Sequence, residues 1–377
     1  LSDSSATESR SAPEISVVIP CLNEERTVAV CVRKALAAFK AADAEGEVIV
    51  VDNGSSDGSA KAAREAGARV ADETRKGYGS ALLRGFREAR GRFILMADAD
   101  DSYDLSELPR FLEKLREGHD LVMGTRLKGD IHPGAMPAMN RYLGNPTLSL
   151  LIRVMHKSTV SDSQCGMRAF KSELPERLML CSTGMEMASE IVLKAGRAGL
   201  KTAEIPISLH KTVAGRSPKL RPWRDGWRHL RLILMFAPGW LFALPGFFFL
   251  FLAIGLCFLG GEGWLSVPSI ASLAVGLQLL SYYKFARIYL RDRMGVSEPD
   301  DASPPGNNLI ESGVRAGIIA VLSGANALFL IAVMFCNRAR TLGDAHLAGL
   351  ALLVLVSFLS GAFFSFMLTY RERQNQS

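Results

Sequence analysis

The chain has 377 residues, of which 48% are hydrophobic, and a formal net charge of +6. That length allows a substantial core and more than one domain. The six cysteines (Cys21, Cys31, Cys165, Cys181, Cys257 and Cys336) form no C-x-x-C pair and no metal-type cluster, so they read as reduced packing residues and exclude a disulfide framework. Residues 1–13 are rich in Ser, Ala and Glu and lack an apolar h-region, which predicts a disordered tail and not a secretory signal. Before about Pro238 the chain is mixed and charged; after it, long apolar runs dominate.

In chain order, the β-branched run over 15–19 predicts a first strand stopped by Pro20. Asn23-Glu24-Glu25 opens a helix with Val28, Val32, Leu36 and Phe39 on one face. Residues 47–52 form the second strand and run into the turn Asn53-Gly54-Ser55-Ser56-Asp57-Gly58, where Asp57 is placed to cap a helix through Lys61 and Ala66. A weak strand over 68–71 precedes the loop Lys76-Gly77-Tyr78-Gly79-Ser80 and a helix carrying Ala81, Leu82, Gly85, Phe86 and Ala89. A strand from Phe93, a helix over 106–117 and a strand over 120–124 complete the pattern. This β-α-β-α alternation predicts a mainly parallel sheet with helices on both faces.

The fourth strand carries the chemistry. Phe93-Ile94-Leu95-Met96-Ala97 runs into Asp98-Ala99-Asp100-Asp101-Ser102, so the acids emerge at its carboxyl end, where open α/β sheets bind ligands. Asp98 and Asp100 are spaced to share one hard divalent cation through oxygen ligands, and such a cation holds a diphosphate. Two common nucleotide folds are excluded. The first strand ends in Pro20-Cys21-Leu22-Asn23-Glu24 with no glycine, the Lys76 loop lacks the third glycine of G-x-G-x-x-G, and no P-loop occurs.

The stretches Val18-Ile19-Pro20-Cys21-Leu22-Asn23-Glu24-Glu25, Val50-Val51-Asp52-Asn53-Gly54-Ser55-Ser56-Asp57-Gly58 and Asp98-Ala99-Asp100 resemble family 2 glycosyltransferases of the GT-A fold. Gly124-Thr125-Arg126, the run from Asp162 to Phe170 and Gly215-Arg216-Ser217-Pro218-Lys219-Leu220 resemble the dolichol- or polyprenyl-phosphate sugar synthase branch, such as dolichol-phosphate mannose synthase. The resemblance covers roughly 15–234. It implies that Pro20, Leu22, Glu24, Val50 and Asp52 line the nucleoside pocket, with Lys76, Gly77 and Ala99 also near the donor. It implies Mg²⁺ or Mn²⁺ on Asp98 and Asp100, acting as a Lewis acid on the departing nucleoside diphosphate. Ser102 stands where the mannose synthases often carry a Gln ligand; a hydroxyl is a weaker ligand, and Asp101 or water is the alternative. Arg126 and Arg141 are implied to hold the acceptor phosphate, with Asn145 where relatives often place a Ser. Asp162 is implied to face the reacting centre, orienting more than removing a proton, because an acceptor phosphate is already ionised. A structural ion pair of Asp162 with Arg168 is the competing reading, and Arg168 is otherwise a further phosphate ligand. Glu186 is divided between the acceptor channel and a solvated helix face.

The basic stretch 210–231 carries Lys211, Arg216, Lys219, Arg221, Arg224, Arg228 and Arg231 against Asp225 alone. Trp223, Trp227, Leu230 and Leu234 share a helical face in it, which points to an interfacial membrane helix over 221–237 and away from nucleic acid. Arg216 and Lys219, just before that helix, are placed to close over both phosphates. Four apolar segments follow, about 240–259, 265–283, 316–335 and 347–370, each near the ~20 residues of a membrane span. Lys284, Arg287, Arg291, Arg293, Arg315, Arg371 and Arg373 set their flanks inside, although Arg338 and Arg340 fall outside. The expected organisation is a tail over 1–13, a GT-A domain over 14–220, the interfacial helix, and a four-helix membrane domain over 238–377, with the catalytic domain and both termini cytoplasmic.

The expected activity is inverting transfer of one hexose, from GDP-mannose or UDP-glucose, to polyprenyl or dolichyl monophosphate at the bilayer. A processive polysaccharide synthase is the main alternative, and the Q-x-x-R-W motif usual in those enzymes is missing. A non-enzymatic membrane scaffold is the other, and the intact Asp98-Ala99-Asp100 argues against it.

Overall fold

The computed structural model describes residues 12–156, 158–212, 222–259 and 267–294. The chain divides into two units, Leu1–Ile233 and Leu234–Ser377.

The first unit is built on seven strands: β1 (Ile15–Cys21), β2 (Gly46–Asp52), β3 (Arg69–Asp72), β4 (Phe93–Met96), β5 (Leu121–Thr125), β6 (Arg168–Lys171) and β7 (Thr202–Pro206). Their helices are α1 (Val28–Ala41), α2 (Ser59–Glu65), α3 (Tyr78–Glu88), α4 (Leu108–Arg116), α5 (Asn145–His156), α6 (Leu174–Arg177), α7 (Met187–Arg197) and α8 (Pro222–Met235), the last straddling the division. The sheet order is β3-β2-β1-β4-β6-β5-β7. The pairs β3–β2, β2–β1, β1–β4 and β5–β7 are parallel, whereas β6 runs antiparallel to both β4 and β5. The sheet is therefore mixed, as the expectation of a mainly parallel sheet allowed, with the reversed strand unforeseen.

β1 and β4 are mostly apolar because both faces are covered: β4 is wholly buried, and β1 is buried at every position but Pro20. The first strand does not stop at Pro20. Val18 accepts the Ala97 N–H on the β4 side, and β1–β4 pairing ends at Val18↔Met96. Pro20 faces that same side one step further on, where no ladder donor is needed. The helix expected from Asn23 begins only at Val28, because Asn23 takes a left-handed φ of 52° and the chain first makes a turn. Its expected apolar face packs: Val28, Val32 and Phe39 are buried, and Leu36 rests against the core.

In the second unit, the wide helical turn Gly239–Ala243 leads into α9 (Leu244–Leu259), and α10 (Val267–Met294) follows. Among the described residues one helix, over Gly239–Leu256, is long and apolar enough to cross a membrane, and only 11% of that stretch is buried. It matches the first expected span. α10 overlaps the second but is a single longer helix, with Gln278, Lys284, Arg287 and Arg291 within it, so its composition is too polar along its length to pass the same test. Phe242 packs against Tyr282 at 5.9 Å between centroids. The expected spans 316–335 and 347–370 lie outside the described residues.

Candidate active site

The loops after β1, β2 and β4 meet at one sheet edge. Those after β1 and β2 are stitched together: Asn23 donates its N–H to Ser55 Oγ (2.9 Å) and its Oδ1 accepts the Ser56 N–H (2.8 Å), while Glu24 N–H reaches Ser59 Oγ (2.7 Å). Asp52 accepts the Ser55 N–H, and Asp57 accepts the Ser59 N–H at 3.0 Å; the cap position itself is Gly58, so the expected Asp57 cap falls one residue before it. Pro20, Leu22 and Asp52 are half-buried at this edge, and Glu24 is nearly enclosed. Val50 is a correction: its exposure is 0% and it belongs to the core, so it offers no surface to a nucleoside. Ala99, at 3%, is likewise a packing residue.

The Lys76 loop is held from two sides. Asn53, buried beneath it, donates from Nδ2 to the Glu73 and Arg75 carbonyls and accepts the Gly77 N–H on Oδ1 at 2.8 Å. Lys76 Nζ donates to the Asn53 and Gly54 carbonyls. Opposite, the Ser80 N–H donates to the Thr183 carbonyl at 3.1 Å. Gly77, with φ 142°, and Gly79 press so closely on this second loop that an added Cβ would stand 2.2 Å from the Thr183 and Ser182 carbonyl oxygens respectively. The second loop is fixed by buried Glu190, which accepts the Cys181 and Ser182 N–H groups and pairs with Lys194 at 2.7 Å.

Between its two glycines, Tyr78 donates to Asp98 Oδ1 at 2.9 Å. Asp98 Oδ2 faces Gly166, where a Cβ would come within 2.7 Å of it. Asp100 Oδ1 accepts both the Ser102 hydroxyl (2.6 Å) and the Ser102 N–H (3.1 Å). Ser102 thus orients Asp100, and Asp101 pairs with Lys34 at 2.7 Å. Among the described residues no three His, Cys, Asp or Glu side chains gather as a metal site. Two neighbouring carboxylates do suit a hard cation whose other ligands are diphosphate oxygens and water. Burial pushes the Cys31 and Cys165 thiols up to about 12, so both rest as protonated packing groups.

Asp162 is fully buried and takes Arg126 in a two-pronged pair: Nε to Oδ2 and Nη2 to Oδ1, both at 2.8 Å, with the Arg126 N–H adding a third bond at 3.0 Å. The structural partner of Asp162 is therefore Arg126 and not Arg168. Arg168 is also corrected as a phosphate ligand: it is wholly enclosed and donates to the Cys165 and Ala188 carbonyls. Asn145 and Arg141 lie at the start of α5 and in the wide turn Asn140–Gly144 that feeds it, with the Arg141 guanidinium over the Tyr142 ring at 5.5 Å. This segment exposes Met139, Tyr142, Leu143, Leu150 and Val154, all at half or more of their full surface. Glu186 buries one carboxylate oxygen, Oε2. Arg216 and Lys219 lie outside the described residues.

α8 docks through His229, Leu232 and Ile233 and leaves Trp227 exposed, so the expected Trp face is the open one at that position. His229 Nδ1 pairs with Ser189 Oγ at 2.8 Å, and His156 Nε2 donates to the Ile233 carbonyl at 3.2 Å. Burial holds both imidazoles down to about 4. An unfolded histidine binds its proton near 6.5, so this stability is intact above that pH and is lost as pH falls from about 6.5 towards 4. Each imidazole contributes on the order of 3 kcal/mol over that window. Melting temperatures measured from pH 7.5 to 5 will fall, and His229→Gln will flatten the slope.

Asn53, Tyr78, Ser59 and Glu190 were not foreseen as site residues. Only Asn53 carried a signal, as the first residue of an Asn-Gly turn after a strand.

Residues 16–178 match the family described as Glycosyl transferase family 2. The chain is similar to the low-salt glycan biosynthesis hexosyltransferase Agl6 of Haloferax volcanii, with 37% identity over 330 residues, 85% of this chain and 79% of that protein. It is similar to a dolichyl-phosphate hexose transferase of the same organism, with 32% identity over 56% of this chain and 89% of the other. It also resembles an undecaprenyl-phosphate 4-deoxy-4-formamido-L-arabinose transferase of Pectobacterium carotovorum, with 28% identity over 77% and 95%.

Proposed function

The chain belongs to glycosyl transferase family 2, and from that premise we propose that it transfers one hexose from a nucleotide diphosphate sugar, GDP-mannose or UDP-glucose, to a polyprenyl or dolichyl monophosphate at the cytosolic membrane face. The observation that carries the reading is the pair Asp98 and Asp100 at the sheet edge, bounded by the stitched β1 and β2 loops on one side and by the Asp162–Arg126 pair's loop, through Gly166, on the other. Relatives named for dolichyl- and undecaprenyl-phosphate support the acceptor class.

Pro20, Leu22, Glu24 and Asp52, with Lys76 and Gly77, hold the nucleoside and its diphosphate. Asp98 and Asp100 would hold Mg²⁺ or Mn²⁺, which supplies Lewis-acid stabilisation of the departing diphosphate. Arg126, kept in place by Asp162, together with Arg141, Asn145, Arg216 and Lys219, steadies the acceptor phosphate. A guanidinium has five N–H donors and Asp162 takes two, which is compatible with a phosphate on the rest. A phosphate oxygen attacks the anomeric carbon as the carbon–oxygen bond to the diphosphate breaks, inverting the centre. No proton need be removed, so orientation and charge do the work. The exposed apolar stripe of α5, with Arg141 at its head, suits a lipid tail whose phosphate is bound nearby.

The test uses membranes containing the full chain, labelled GDP-mannose, UDP-glucose or UDP-N-acetylhexosamine, and a polyprenyl phosphate. One donor will label the lipid fraction, and chelation will stop it; label found only in long polymer overturns the single-transfer reading. The paired change Leu143→Asp and Leu150→Asp, on residues 58% and 50% exposed, will cut lipid labelling about tenfold while slow hydrolysis of the donor continues unchanged.

A further inference from the structure

We propose that Tyr78 is a positioning residue for Asp98, fixing the carboxylate in the orientation from which it meets the cation; this rests on the proposed metal-dependent reading. Tyr78 is clamped on either side along the chain. Before it, the Gly77 N–H donates to Asn53 Oδ1 at 2.8 Å; after it, the Ser80 N–H donates to the Thr183 carbonyl at 3.1 Å. Gly77 and Gly79 lie so tightly on the 182–183 backbone that neither admits a side chain. With its backbone immobilised between two loops, the phenol is delivered to Asp98 Oδ1 at 2.9 Å.

The phenol holds Oδ1, while Oδ2 lies beside Gly166, close enough that an added Cβ would stand 2.7 Å from it. A ligand carboxylate with two torsions would otherwise sample orientations unsuited to the cation, and groups that hold metal ligands from behind typically govern affinity by about 10–100-fold. The device also joins two parts of the site. The loop carrying Lys76 and the acid motif cannot move independently while the Tyr78–Asp98 bond stands, so diphosphate and cation sites are set at a fixed separation.

The experiment compares wild type, Tyr78→Phe and Asp98→Asn as full-length detergent-solubilised protein. Manganese is titrated in the presence of GDP or UDP, free Mn²⁺ is read by electron paramagnetic resonance, and melting temperature is followed alongside. Tyr78→Phe removes one oxygen from a half-buried ring, so its fold will persist. Its manganese affinity will weaken about tenfold. Its transfer rate will fall at limiting manganese and recover at saturating manganese, a split that a general loss of structure does not produce. Unchanged manganese affinity in Tyr78→Phe, with affinity lost in Asp98→Asn, overturns the role of Tyr78 and leaves the metal reading standing. Wild type that binds no manganese overturns both. Should Tyr78→Phe melt well below wild type, Asn53→Ala, which loosens the same loop from its other side, gives the second measurement: weakened manganese affinity supports the inference and unchanged affinity overturns it.

Discussion

Asp100→Ala will lower lipid-linked transfer by about a thousandfold, close to the background of the assay. Asp100 follows the fourth strand, is 8% exposed, and has one oxygen already oriented by the Ser102 hydroxyl and N–H. On the proposed reading it carries half of the negative charge that the Asp98–Asp100 pair offers to the cation. The alanine variant also strands the Ser102 N–H, which costs about 1–3 kcal/mol of stability if water does not reach it. Asp100→Asn separates the two effects. The amide oxygen still accepts from Ser102, so the melting temperature will stay near wild type, while loss of the charge will leave transfer down about a hundredfold or more. Initial rates of label entering the lipid fraction, with melting curves beside them, make the comparison. An Asp100→Asn enzyme of wild-type rate removes the cation from the proposed chemistry.

β1, β2, β4 and β5 were legible because each is built on a short apolar run that ends in turn chemistry and is largely buried in the sheet. β6 was not: Arg168-Ala169-Phe170-Lys171 has two cations in four residues and becomes a strand only because β4 and β5 supply partners on both sides. The acids of the site were legible for a related reason, since their position after a buried strand is a local property. What holds them was not. Tyr78 meets Asp98 across twenty residues and Arg126 meets Asp162 across thirty-six, and no spacing rule encodes such meetings. Nearness in sequence pointed instead to Arg168 for Asp162, yet Arg168 is used up on backbone carbonyls. Val50 was placed at the pocket by the resemblance alone; in this chain it lies inside a strand covered on both faces and belongs to the core.

The Asp162–Arg126 pair yields the second large effect. Asp162→Ala leaves a guanidinium with 10% side-chain exposure facing the vacated space. Removing one partner of a buried pair costs about 3–5 kcal/mol, and for a unit of this size that is a fall of roughly 10 °C in melting temperature. The Arg126 backbone N–H also loses its acceptor, which adds to the loss. The combined change Arg126→Met with Asp162→Leu removes the charges together and fills similar volume, so much of that stability will return. Transfer will not return with it, because a methionine cannot steady the acceptor phosphate, and the rate will stay at least about a hundredfold down. Arg126→Lys makes the complementary case: the charge stays, the planar fork is lost, and transfer will fall about tenfold or more even though the pair is still satisfied electrostatically. Melting curves and lipid-fraction rates on these three variants separate a strut from a phosphate ligand. If the double variant regains both stability and rate, the pair is a strut alone, and the acceptor phosphate is held by other residues.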